Sequence, residues 1–139
     1  EECKLLKQEL DDFKVKYKIK FSGSGFHINI DNIYLPASNG VEKFVSCGQF
    51  VKNLKTIFNF LTLDTELYDM RRCWKVAYSL DVKSGNIALP LDDEQFDNFS
   101  HNMVKPSSII KLGIKNRGLL ERDGLDNGFK NFCKEYNLW

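Results

Sequence analysis

The stretch FSGSGFHINI, residues 21–30, carries residue types that hold phosphate. Gly23 and Gly25 let backbone N–H groups come close to an anion, and Ser22 and Ser24 add hydroxyl donors. His27 follows directly, and Lys14, Lys16, Lys18 and Lys20 precede the loop at every second position. If Phe21 and Phe26 both face a core, the turn is 22–25, Lys20 stands opposite His27, and Lys18 stands opposite Asn29. That register puts His27 on the polar, lysine-bearing face of a hairpin, where an imidazole beside ammonium groups suits a phosphate ligand. S-G-x-G is a short motif, and the same residues also suit a solvent-facing hairpin with a flexible turn and a solvated lysine face.

The elements that must position these groups are legible as changes of period. Over 3–13, Leu5, Leu6, Leu10 and Phe13 fall at helical spacing. Over 14–21 the period becomes two, with Val15, Tyr17, Ile19 and Phe21 opposite the lysines. A second strand spans 26–30, with Phe26, Ile28 and Ile30 on its apolar face. Residues 31–46 read as loop, with Pro36, Asn39 and Gly40 as breakers. Ser46 is expected to cap a helix over 47–61 with the stripe Phe50, Leu54, Ile57, Phe58 and Leu61. A short helix is expected over 65–73, preceded by Leu63-Asp64-Thr65-Glu66, in which Asp64 reads as its N-cap. Strands are expected over 74–80 and 86–91, joined by the turn DVKSG, and short helical turns over 93–98 and 107–112. A last helix is expected over about 125–136. The mixture predicts an α+β fold, a mainly antiparallel sheet with flanking helices.

The 139 residues suffice for one domain with a real core, and no repeat or linker divides them. With 42% apolar and 28% charged residues the composition is that of a globular protein. A net charge of +1 excludes a polybasic tail, so nucleic-acid contact must come from a local patch. No apolar run reaches the roughly 18 residues of a membrane span, and no membrane partner is expected. Cys3, Cys47, Cys73 and Cys133 are scattered, which favours a reduced, intracellular protein over a disulfide scaffold. Cys47, Cys73 and Cys133 read as buried, small apolar residues. Taken alone, Lys75 and Lys83 read as solvated lysines.

Read in order, the motifs resemble the catalytic small subunit of archaeal and eukaryotic DNA primases. That family runs from an S-G-x-(x)-G-x-H loop to a hydrophobic-Asp motif, a basic residue, a P-x-S-L-H-x-K-T-G turn, and a strand ending in P-[IL]-D and x-D-x-F. Here the pieces are Ser22-Gly23-Ser24-Gly25-Phe26-His27, Leu63-Asp64, Lys75, Tyr78-Ser79-Leu80-Asp81-Val82-Lys83-Ser84-Gly85, Pro90-Leu91-Asp92 and Phe96-Asp97-Asn98-Phe99. They cover about residues 3–99, with 100–139 as a C-terminal helical segment of the same single domain.

The resemblance implies an RRM-like primase-polymerase core that makes RNA or DNA primers by two-metal phosphoryl transfer with Mg²⁺ or Mn²⁺. Asp64 matches a metal-binding catalytic carboxylate, with Asp69 as the alternative. Ser22, Gly23, Ser24, Gly25 and His27 match the loop that holds the incoming triphosphate, and Lys75, Lys83 and Arg72 match basic residues near it. The implied partners are nucleoside triphosphates, a single-stranded DNA template and a primase large subunit. The implied location is cytoplasmic or nucleoid in an archaeon and nuclear in a eukaryote. Cys3 resembles the second half of a C-x-x-C pair in the family's structural zinc knuckle, a Zn²⁺ site of four ligands.

Four departures qualify the resemblance. No Asp-x-Asp pair occurs in the chain, so the implied domain is incomplete at its N-terminus, and the chain alone is expected to be inactive. Asp81 stands where the family has histidine, and Ala77 where it has proline. The loop lacks the arginine of many primases, and its shorter form is closer to the polymerase domains of bacterial end-joining ligases. An end-joining or repair polymerase of the same superfamily, and a catalytically inactive module that binds single-stranded nucleic acid, are the competing readings.

Overall fold

Val15, Tyr17, Ile19 and Phe21 are all essentially inaccessible, so the alternation over 14–21 selects a buried face as expected. The computed structural model describes residues 1–30, 39–66, 73–112 and 127–138. The order of elements is α1 (Glu2–Asp12), β1 (Tyr17–Phe21), β2 (Phe26–Ile30), α2 (Gly40–Ile57), β3 (Leu89–Leu91), α3 (Asp93–Asp97), α4 (Pro106–Leu112) and α5 (Gly128–Glu135). The chain divides into two units that interleave in sequence. The first is drawn from Glu1–Lys16, Asn32–Cys73 and Asp123–Trp139, and the second from Tyr17–Asp31 and Trp74–Arg122.

The first unit is helical. Leu6 and Leu10 of α1, Phe50, Val51 and Leu54 of α2, and Phe129, Phe132 and Cys133 of α5 are buried. Phe13 meets Phe132 edge-on at 5.7 Å and Tyr136 at 5.9 Å, and Phe58 lies 4.8 Å from Tyr136. Gly128 opens α5 against the turn after α1; a Cβ there would stand 2.4 Å from the Lys14 carbonyl oxygen, so no side chain fits. All three helices end in the same way. Lys14, Asn59 and Asn137 take positive φ (53°, 51° and 48°), and the next residue donates its N–H back to a carbonyl five residues earlier: Val15 to Leu10, Phe60 to Lys55, Leu138 to Cys133. These are Schellman stops, each closed by a buried apolar residue.

The second unit holds a three-stranded antiparallel sheet in the order β2-β1-β3. The first hairpin has the expected register, Phe21 opposite Phe26, Lys20 opposite His27 and Lys18 opposite Asn29. On the other side of β1, Ile19 pairs with Leu91, Lys20 with Pro90 and Phe21 with Leu89. Pro90 therefore lies on an edge strand, where a missing N–H is tolerated. The apolar face carries an aromatic cluster of Phe21, Phe26, Phe96 and Phe99, with the His101 ring edge-on to Phe21 at 5.7 Å. Asp92 caps α3 in a reciprocal capping box with Gln95.

Several expectations are corrected. The second helix begins at Gly40, not 47, because Asn39 rather than Ser46 is its cap: the Asn39 side chain accepts the Glu42 N–H at 2.9 Å and donates to the Glu42 carboxylate at 3.0 Å. Residues 39–46 are thus not loop; 31–38 lie outside the described residues. The same helix stops at Ile57, so Leu61 leaves the expected stripe and is 80% exposed, and Ile57 is exposed as well. Residues 74–80 form no strand; only Leu80 bridges to Ile87, because Tyr78 at φ +66° turns the chain there. Most of the short helix expected over 65–73 lies outside the described residues. Cys133 is buried as expected, but Cys47 is half-buried and Cys73 exposed.

Candidate functional site

The turn 22–25 is closed by two bonds to one acceptor. The Ser22 N–H and its hydroxyl donate to the Gly25 carbonyl at 2.7 and 2.9 Å. Ser22 is buried and its hydroxyl proton is committed to the turn, whereas Ser24 is exposed at the tip. Gly23 has φ +108°, a conformation open to glycine, and a Cβ there would meet the Asp81 Cβ at 2.4 Å. The loop therefore seats its backbone directly on Asp81, and Asn86 Nδ2 donates to the Gly23 carbonyl at 3.1 Å.

Asp81 organises the facing turn. One carboxylate oxygen forms an ion pair with the Lys75 ammonium, and the other accepts the Ser84 N–H at 3.1 Å and the Ser84 hydroxyl at 2.7 Å. The Asp81 N–H donates to the Asn86 carbonyl and the Gly85 N–H to the Asp81 carbonyl, both at 2.8 Å. Asp81 is 4% exposed, and the bonds from Lys75 and Ser84 hold its pKa down, from 3.8 to about 2. Asp81 is thus a carboxylate that ties Lys75 and the S-G-S-G loop together. Lys83, at the tip of the DVKSG turn, is exposed.

The polar face of the hairpin differs from expectation in one respect. His27 and Lys20 are opposite each other, but Lys20 is buried rather than solvated. Residues 74–75 cross over it: the Lys20 ammonium donates to the Lys75 carbonyl oxygen and lies 6.0 Å from the centre of the Trp74 ring. The Trp74 ring also meets the half-buried His27 edge-on at 5.2 Å. Sequence reasoning set Lys20 opposite His27 but missed its burial, the Trp74 ring beside it, and the contact of Asp81 with the loop. A period-two lysine carries no mark that distinguishes the one residue a distant segment covers.

The second unit thus holds the loop residues Ser22, Gly23, Ser24 and Gly25, His27 beside them on β2, Lys75 joined to the loop through Asp81, and Lys83 on the exposed DVKSG turn. Asp64 belongs to the first unit, where it is exposed and its Oδ1 accepts the Glu66 N–H at 2.8 Å, a turn-capping role. The segment leading to it is anchored by Glu2, whose carboxylate accepts the Leu61 and Thr62 N–H groups at 2.6 and 2.9 Å and the Thr62 hydroxyl. Lys55 adds a bond to the Leu63 carbonyl at 2.8 Å. Arg72 and Asp69 lie outside the described residues. Cys3 is half-buried on α1. Among the described residues no three His, Cys, Asp or Glu side chains come together to hold a metal ion, and Asp64 alone falls short of the carboxylate set that two divalent ions require. No described helix is long and apolar enough to cross a membrane.

Comparisons of the chain with protein-family models, with curated proteins and with solved structures find no match.

Proposed function

We propose that the second unit is the triphosphate-binding part of a primase-type nucleotidyltransferase, and that the loop 22–25 with His27 and Lys83 holds the phosphates of an incoming nucleotide. The supporting observation is the construction around Gly23. A glycine at φ +108° is pressed onto a buried aspartate whose ion pair carries Lys75, beside a hairpin register that sets His27 against Lys20. Backbone N–H, hydroxyl, imidazole and ammonium groups are the donor types that suit a polyanion. Primer synthesis in this reading needs an Asp-x-Asp pair that the chain does not contain, so residues 1–139 bind nucleotide without extending a primer.

The test is equilibrium binding of a labelled nucleoside triphosphate to the chain, beside His27→Ala and Lys83→Ala, each checked for folding by circular dichroism. Each substitution is expected to weaken binding about tenfold, the worth of one charge-assisted hydrogen bond. Equal binding by folded wild type and variants contradicts the reading. So does primer extension by the chain alone.

A second reading, a module for single-stranded nucleic acid, draws on Trp74, which is 49% exposed beside lysines and offers a base a stacking surface. It predicts affinity for an oligonucleotide that falls steeply with salt and is lost in Trp74→Ala, with no preference for triphosphate.

A further inference from the structure

Lys20 is the one lysine of the hairpin that the fold buries, at 4% exposure on the middle strand. Its surroundings compensate its charge poorly. The ammonium has three N–H groups; one donates to the Lys75 carbonyl oxygen, and the Trp74 ring lies to one side at 6.0 Å. Among the described residues no carboxylate pairs with it, and burial pushes its pKa below the usual lysine value. The Asp81 carboxylate is engaged by Lys75 and Ser84. Lys75 has its counter-charge in Asp81, and Lys20 has none among the described residues. An ion buried without a counter-charge is costly, and a carbonyl dipole and an indole offset only part of the cost. The cover is also thin: it is the segment 74–75, whose Trp74 is half in solvent.

We infer that Lys20 is an anion ligand, its ammonium donating to a phosphate oxygen beneath Trp74 while His27, directly across the ladder, donates to the same group. The missing counter-charge is then the ligand's. This rests on the triphosphate reading and extends it to a residue inside the sheet that no motif marks. In the alternative, Lys20 only staples residues 74–75 to the sheet, and its charge serves nothing else.

Inorganic tripolyphosphate is the probe, and two measurements are made. In the wild-type chain the titration midpoint of Lys20 is followed by the NMR shift of its ¹³Cε, with and without the probe. An anion bound at the ammonium favours the charged form, so the midpoint must rise; a lysine that only staples keeps its midpoint. This readout needs no variant to fold. In parallel, tripolyphosphate affinity is measured for Lys20→Met and His27→Ala. Lys20→Met is expected to lose about tenfold or more in affinity. A midpoint that does not move while His27→Ala weakens binding overturns the role of Lys20 and leaves the loop reading standing. No binding of the probe at all, in a folded chain, overturns both.

Discussion

Asp81 shows how one buried carboxylate can organise two turns. As a carboxylate it accepts from Lys75 and from both donors of Ser84, and it fills the space that Gly23 leaves open. Its pKa is depressed on folding, so its contribution to stability is complete above its ordinary value of 3.8 and is lost as the pH falls toward about 2. Asp81→Asn is expected to lower the melting temperature at pH 7 and to flatten the loss of stability between about pH 4 and pH 2 relative to wild type. Melting curves across that range decide it; an unchanged acid limb would remove Asp81 from its central place. Gly23→Ala adds a Cβ where both φ and Asp81 forbid it, and is expected to cost roughly 2 kcal/mol, read from urea denaturation. The glycine and the aspartate are both visible in the sequence. Their contact is not, because 58 positions of chain separate residues 23 and 81.

At the level of elements, most of the strands and helices were legible because their periods are strong. The hairpin register followed from two phenylalanines, Phe21 and Phe26, flanking a four-residue turn. The errors came at ends and caps. Asn39 read as a breaker, yet three residues later Glu42 completes a reciprocal cap, and the pair outweighs the isolated signal of Ser46. The stops were written as Phe13-Lys14-Val15, Phe58-Asn59-Phe60 and Tyr136-Asn137-Leu138, a left-handed residue between two large apolar ones, and could have been found by that pattern. Two opposite outcomes follow. Asn39→Ala is expected to cost about 1 kcal/mol through loss of the cap. Lys14→Gly is expected to stabilise by about 0.5–1 kcal/mol, since glycine adopts positive φ without the steric cost that lysine bears. Thermal unfolding of both variants checks the pair. The strand expected over 74–80 failed for two reasons: Tyr78 at φ +66° turns the chain, and residues 74–75 cover Lys20 instead of joining the sheet ladder.

For the whole molecule, the α+β class and the antiparallel sheet were legible, and the division into two units was not. The chain enters the second unit at Tyr17, leaves it at Asp31 and returns at Trp74, with no linker composition at any of these points. Pairing of β3 with β1 joins segments some 70 residues apart, and nothing local specifies such a partner. The absence of an Asp-x-Asp pair bears on the whole chain in another way. If the nucleotide is held by loop, imidazole and ammonium groups alone, Mn²⁺ should bring no gain in affinity, and an EDTA control should bind as tightly. The most direct measurement of the central claim is an ¹⁵N–¹H correlation spectrum of the chain titrated with a nucleoside triphosphate. The triphosphate reading predicts saturable shifts concentrated at the backbone amides of Gly23, Ser24, Gly25 and His27, with those of Ser84 and Gly85 following through the Asp81 contact. A well-dispersed spectrum in which these amides stay fixed at millimolar nucleotide would contradict it, and the S-G-S-G turn would then be a hairpin turn and nothing more.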